Sequence, residues 1–247
     1  MMNPTLAAAA VMLLATTVRS AFGFGEALIA VPLLALILPI TAAAPLAALA
    51  SISVAGVVLL QDWREVQLHS AGRLLLSTLL GIPLGLLLLK TAPERAAKGL
   101  LAAVILAFCA HSLLRPGRFA LRDDRYAWLF GFAAGVFGGA YGINGPPLAV
   151  YGSLRGWSRK TFRATLQGYF LPASVAGMCG FWFAGLWTPR VNFLFLRSLP
   201  AIIAGAVLGR FINRRLEQKW FLRLLHLGLG LIGLLLLLQA AVRPSTG

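Results

Sequence analysis

Apolar runs recur along the whole 247-residue chain, each close to the 20 or so residues that a helix needs to cross a bilayer. Only 12% of the residues are charged and 59% are hydrophobic, where a soluble domain carries about 25% charged residues. No short alternating strands of the kind a membrane β-barrel requires are visible. The pattern predicts an all-α polytopic membrane protein of about eight transmembrane helices.

Two of the apolar runs are interrupted. Tyr141-Gly-Ile-Asn-Gly-Pro-Pro-Leu-Ala-Val-Tyr151 holds two glycines, two prolines and an asparagine. Glycine loses the most backbone entropy in a helix, and proline removes a donor and clashes with the preceding turn. Freed backbone groups must still find partners in lipid, so such a break belongs inside protein or beside a cavity. Phe22-Gly-Phe-Gly-Glu-Ala-Leu-Ile-Ala-Val-Pro32 echoes it, with Gly23 matching Gly142. The echo continues: Ser53-Val-Ala-Gly56 recurs as Ser174-Val-Ala-Gly177, and Arg73 as Arg197. Gly81-Ile-Pro-Leu-Gly85 likewise returns as Gly205-Ala-Val-Leu-Gly209. This spacing predicts two four-helix repeats, each opening with a broken helix. Paired breaks in two halves are a sequence pointer to a transport site.

The first repeat is residues 1–114, and 115–125 is a basic linker. The second repeat is 126–247, and the whole is one integral transport domain. Expected spans are a broken unit over 5–38, then 41–60, 73–89 and 98–114. In the second half they are a broken unit over 126–151, then 164–186, 193–212 and 220–241. Gly81, Gly85, Gly205 and Gly209 supply small-residue packing faces. With four spans each, an even number, the halves should run parallel about the membrane normal.

The formal charge is +15, from 22 Lys and Arg against 7 acids. On a soluble protein that would point to nucleic acid. Here the basic residues sit in short loops, so the charge predicts topology and contact with the lipid bilayer, with no nucleic acid. Loops near 90–98, 155–163 and 210–219 hold eleven Lys and Arg; those near 61–73, 115–125 and 187–190 hold seven. The modest bias puts the first set in the cytoplasm and both termini outside it.

No catalytic set is present. His69, His111 and His226 lie far apart with no carboxylate at triad or ligand spacing, and no metal or cofactor is expected. Cys109 and Cys179 read as small buried hydrophobes. Without a nucleotide motif, transport would run on gradients. Asp62, Glu65, Glu94, Asp123, Asp124 and Glu217 fall in loops or at helix ends, where a solvated role is the plain reading. Glu26 alone sits deep in an apolar run, beside the first break, and such residues are usually functional. Arg19 precedes it by about two turns, on a similar face if the helix is continuous. The pair reads as a site or as a structural ion pair. Asn144 and Gln167 are the matching polar residues of the second half, able to bind a ligand or to join helices.

Gly-x-Gly with its apolar run and proline, followed by Gly142-Ile-Asn-Gly-Pro-Pro147, resembles the TauE/SafE sulfite exporter family over nearly the whole chain. The resemblance implies a bacterial inner-membrane protein that moves sulfite, thiosulfate, sulfonates or related small anions. The family's first motif commonly reads Gly-x-Gly-Gly-Gly, whereas this chain has Gly23, Phe24, Gly25, Glu26 and Ala27. The expectation is a secondary transporter of small anions, not an enzyme. Its substrate site comprises Arg19, Gly23, Gly25, Glu26, Gly142, Asn144, Gly145 and Gln167, with Pro146 and Pro147 making the second break. Proton coupling through Glu26 is one reading of the site. A membrane assembly or signalling component without transport is the alternative function.

Overall fold

The computed structural model describes residues 4–22, 25–62, 66–114, 121, 123–157 and 159–213, with isolated positions between 230 and 238. Among them the chain forms nine helices and no strand. These are α1 (Pro4–Phe22), α2 (Glu26–Ala35), α3 (Ile40–Asp62), α4 (Leu68–Thr91), α5 (Glu94–Leu114), α6 (Ala127–Tyr141), α7 (Gly145–Leu154), α8 (Arg159–Phe183) and α9 (Pro189–Asn213). Three stretches among the described residues, 4–21, 68–91 and 189–212, are long and apolar enough to cross a membrane. The expected loop near 90–98 shrinks to Ala92 and Pro93, and α8 begins inside the expected basic loop near 155–163. The expected eighth span lies mostly outside the described residues.

Glycine decides which helices pair. A Cβ at Gly81 or Gly85 of α4 would strike the α6 backbone at Phe132 or Val136. One at Gly205 or Gly209 of α9 would strike the α1 backbone at Leu13 or Thr17. Lipid is as apolar as leucine, so such close backbone approach, not a hydrophobic drive, holds membrane helices together. The packing faces expected at these four glycines are thus in use. Each joins a helix of one half to a helix of the other. The outer face of α4 shows Leu76, Leu80, Leu84 and Leu87, and that of α9 shows Leu196, Ile203 and Val207. Both faces suit contact with acyl chains. Cys179, expected inside, is exposed on α8; in a bilayer an outward thiol still meets an apolar medium.

The breaks turn the chain back on itself, which the expected broken spans did not include. Thr16 and Glu26 would lie about 15 Å apart along a straight helix. Instead the Thr16 hydroxyl donates to Glu26 Oε1 at 3.1 Å, so α2 returns beside α1. In the second half the Leu121 N–H donates to the Leu154 carbonyl at 2.8 Å, joining the residues just before α6 and at the end of α7. At 15 and 10 residues, α6 and α7 extend about 22 and 15 Å at 1.5 Å per residue, each short of the roughly 30 Å hydrocarbon core. Each broken unit is a hairpin that returns toward its own end, although α1, at 19 residues, is by itself long enough to cross.

That reversal changes the symmetry. The Gln67 N–H donates to Thr165 Oγ1 at 3.0 Å, so α4 and α8 start at one end of the bundle. Gly131 and Gly139 of α6 meet Leu74 and Ile82 of α4, so α6 runs with α4 from that same end. Helix α9 begins where α8 finishes, at the opposite end. Gly205 and Gly209 meet Leu13 and Thr17 in order, so α1 runs with α9. Helices α1 and α6 therefore enter from opposite ends, and the expectation of parallel halves is corrected. A returning hairpin leaves an odd number of crossings in the first half, so the second half starts on the other side.

Candidate functional site

The two hairpin turns meet in the middle of the bundle. Gly25 precedes α2 with φ +97°, a left-handed conformation that glycine takes without strain. Gly142 closes α6 with φ +67°, its N–H bonded to the Gly138 carbonyl at 2.8 Å. Proline follows at 146 and 147, where a helix start has no need of the missing donors. Both short helices thus point their N-termini and positive dipole ends toward the same interior; α2 brings free N–H groups there, whereas Pro146 and Pro147 of α7 have none to offer.

Arg19 and Glu26 occupy that interior, 3% and 1% exposed, with Nη1 and Oε2 at 2.6 Å. They come from two helices, not from one face of a continuous helix. Arg19 Nη1 also donates to Ser51 Oγ at 2.6 Å, and Nη2 to Gln167 Oε1 at 3.0 Å. Its guanidinium carbon stands 5.3 Å from the centre of the Phe170 ring, within cation–π reach. Its Nε is buried with no hydrogen-bond partner. Ser51 is the middle residue of α3 and is linked at 3.2 Å to Ser174 of α8. These contacts put the ion pair at mid-depth.

A cavity of about 20 Å³ adjoins the pair, room for about one water. Arg19, Gly25, Glu26, Asn144, Gly145 and Pro146 all line it. Asn144 also lines a second cavity of about 10 Å³, with Gly142, Ser174 and Phe181. It is thus the partition between two voids. Behind it Asn144 hydrogen-bonds Tyr169, and Tyr169 meets Thr78 at 2.6 Å. Thr78 gives its proton to the Gly131 carbonyl, so the Tyr169 hydroxyl is the donor to Thr78.

Among the expected site residues, Gln167 holds Arg19 from the side of α8. Pro147 is buried in α7 and lines neither cavity. Gly23 lies outside the described residues. Thr16, Ser51, Phe170 and Ser174 join the site without having been expected. Small hydroxyls are common in membrane helices, and only a pairing with a buried charge would single them out. Among the described residues no group of three His, Cys, Asp or Glu could hold a metal ion.

A second polar cluster lies at the end where α4 and α6 start. Asp124 accepts from the Tyr151 hydroxyl at 2.5 Å and from Ser70 at 3.0 Å, and pairs with Arg155 at 3.2 Å. Burial by itself would raise this carboxyl. Hydrogen bonds from Tyr151 and Ser70, with the charges of Arg155 and His69, outweigh burial and hold it below the usual carboxylate range. Asp124 is therefore not the solvated residue expected of it.

Apolar helices around two hairpins, with helix N-termini converging on a buried ion pair, are the arrangement of a multi-pass membrane transporter. The chain belongs to the sulfite exporter TauE/SafE family, whose model matches residues 8–236. That family consists of transporters, not enzymes. No curated protein and no solved structure matches the chain.

Proposed function

We propose that this chain is a gradient-driven secondary transporter of small anions in a bacterial inner membrane, with sulfite and organosulfonates as its substrates. The observation that carries the reading is the Arg19 guanidinium, buried at mid-depth where both hairpins meet and keeping one N–H without a partner. A buried cation offers an oxyanion charge-assisted hydrogen bonds. The α2 N-terminus adds backbone donors, and Asn144 adds a side-chain dipole. Family membership supports the class of substrate.

In this reading the substrate meets Arg19, Gly25, Glu26, Asn144 and Gly145, while Gly142 and Gln167 shape their surroundings. Gly23 belongs to the site through its place in the motif. The two halves are duplicates, and the sequence echoes together with the matching α1–α9 and α4–α6 packing support this. Access alternates as one hairpin opens and the other closes, in the manner of inverted repeats.

The test is counterflow of labelled sulfite and methanesulfonate in proteoliposomes. Exchange above the rate of empty liposomes is expected. Flux no higher than in empty liposomes across a panel of sulfur oxyanions and carboxylates overturns the proposal.

A further inference from the structure

Arg19 and Glu26 are the only charged side chains that the structure buries among the described residues. Their cavity is therefore neutral while it is empty of substrate. An anion that enters and binds Arg19 leaves two negative groups for one guanidinium. Charge buried without a partner is strongly disfavoured, and an isolated buried carboxylate takes up a proton instead. Resting on the transport reading above, we infer that the transporter carries one monovalent oxyanion together with one proton on Glu26, so that each cycle moves no net charge.

The geometry fits competition for one guanidinium. Arg19 Nη1 is engaged by Glu26, while Ser51 and Gln167 hold the group in place. Nε lacks a partner. When Glu26 takes a proton from the more acidic side it lets go of Nη1, and the oxyanion takes over the positive charge through Nε, the N–H that had no partner. On the other side the anion leaves, Glu26 gives its proton to water, and the ion pair closes again. The small cavity describes this closed state, since about 20 Å³ admits a water and not a sulfonate.

Among the described residues no other titratable group lines the cavity. From α1 the groups against Glu26 are Arg19 and Thr16. Ser51 of α3, Asn144 and Gly145 of the second hairpin and Phe170 of α8 share its cavity. Tyr169 stands behind Asn144. Helix α5, which also packs on α2, carries Glu94, Arg95 and Lys98 in its first turns and His111 in its last. Glu94 and Lys98 pair with each other at 3.0 Å. A dianion would leave the loaded cavity at a net charge of −1, even with Glu26 protonated. Monovalent anions are the class selected.

The experiment uses the full chain in proteoliposomes with methanesulfonate, a permanent monoanion, and with sulfate and thiosulfate, which are dianions. With the membrane potential clamped at zero, methanesulfonate should accumulate on the alkaline side about tenfold for each pH unit of gradient. A trapped pH dye should register one proton per anion. Potassium diffusion potentials of either sign should leave accumulation unchanged, and the two dianions should not accumulate. Methanesulfonate accumulation that follows the potential and ignores the pH gradient overturns the inference while leaving anion transport intact. Equal accumulation of the dianions does the same. Absence of flux for every anion removes the transport reading first, and this inference with it. All of these readouts come from the unaltered protein, so no variant has to fold.

Discussion

At the scale of single residues, the Arg19–Glu26 pair makes a prediction that separates folding from function. Removing one partner of a buried pair leaves an uncompensated charge and costs about 3–5 kcal/mol, whereas replacing both by neutral groups of similar size can be close to neutral. Glu26→Gln or Arg19→Met alone should lower the yield of folded protein, while the double variant should regain yield and stay inactive. A double variant no better folded than either single one would show that the pair is not what couples these positions. Asn144→Leu gives up one hydrogen bond to Tyr169, about 1 kcal/mol, and replaces the polar partition between the two cavities by an apolar one. Folded yield near that of the unaltered protein, with flux lost, is the expected outcome. Unchanged flux in a well-folded Asn144→Leu protein places the route elsewhere. Glu26 was legible in the sequence because a carboxylate in an apolar run is costly and therefore conspicuous. Ser51 and Phe170 were not, since neither residue type is unusual in a membrane helix.

At the scale of elements, the helix pairs and the latch carry different loads. The α4–α6 and α1–α9 contacts place backbone on backbone at Gly85 and Gly209. Backbone cannot retreat as a flexible side chain can, so overpacking here should exceed the usual 1–3 kcal/mol. Gly85→Leu and Gly209→Leu should reduce folded protein before they alter substrate preference. Normal abundance with altered selectivity would show that these glycines line the pathway. Asp124 ties the end of α7 to the start of α4 through Tyr151, Arg155 and Ser70. Its carboxyl is held below its unfolded value near 3.9, so its stabilisation is fully present above that pH and fades as the pH falls through the lower folded value. Asp124→Asn should lower the melting temperature near neutral pH, with the gap to the unaltered protein narrowing below about pH 4. A gap that stays constant from pH 7 to pH 3 would mean that packing, not charge, makes the latch. The sequence showed where the helices break. It did not show the angle, because glycine permits a turn without dictating its direction. The contacts of Glu26 with Thr16 and of Leu154 with Leu121 settle it.

At the scale of the molecule, the two hairpins decide which loops share a side. With each broken unit returning to its own end, loops near 61–73, 115–125, 155–163 and 210–219 emerge together. They hold fourteen Lys and Arg, against four near 90–98 and 187–190. Under the straight-span reading the four arginines of 115–125 opposed the charge bias; with hairpins they join it. Cytoplasmic loops retain Lys and Arg, so the arginine-rich end, with the Asp124 latch, should face the cytoplasm, and the start of α1 should face away from it. Single cysteines read this out in a background that lacks Cys109 and Cys179. Ala92→Cys lies in the short turn between α4 and α5, and Gly156→Cys lies just after α7. Neither residue sits in a helix; Gly156 has φ +65°, so its Cys variant carries about 1 kcal/mol of backbone strain local to the turn, and folded yield is measured for both variants before labelling. An impermeant thiol reagent should label Ala92→Cys in intact cells and Gly156→Cys only after the membrane is opened. The reverse pattern would turn the molecule over. Labelling of both sites in intact cells would place 92 and 156 on the same side and overturn the hairpin topology itself, because α4 and α8 start at one end of the bundle, which puts the turn after α4 and the turn before α8 at opposite ends.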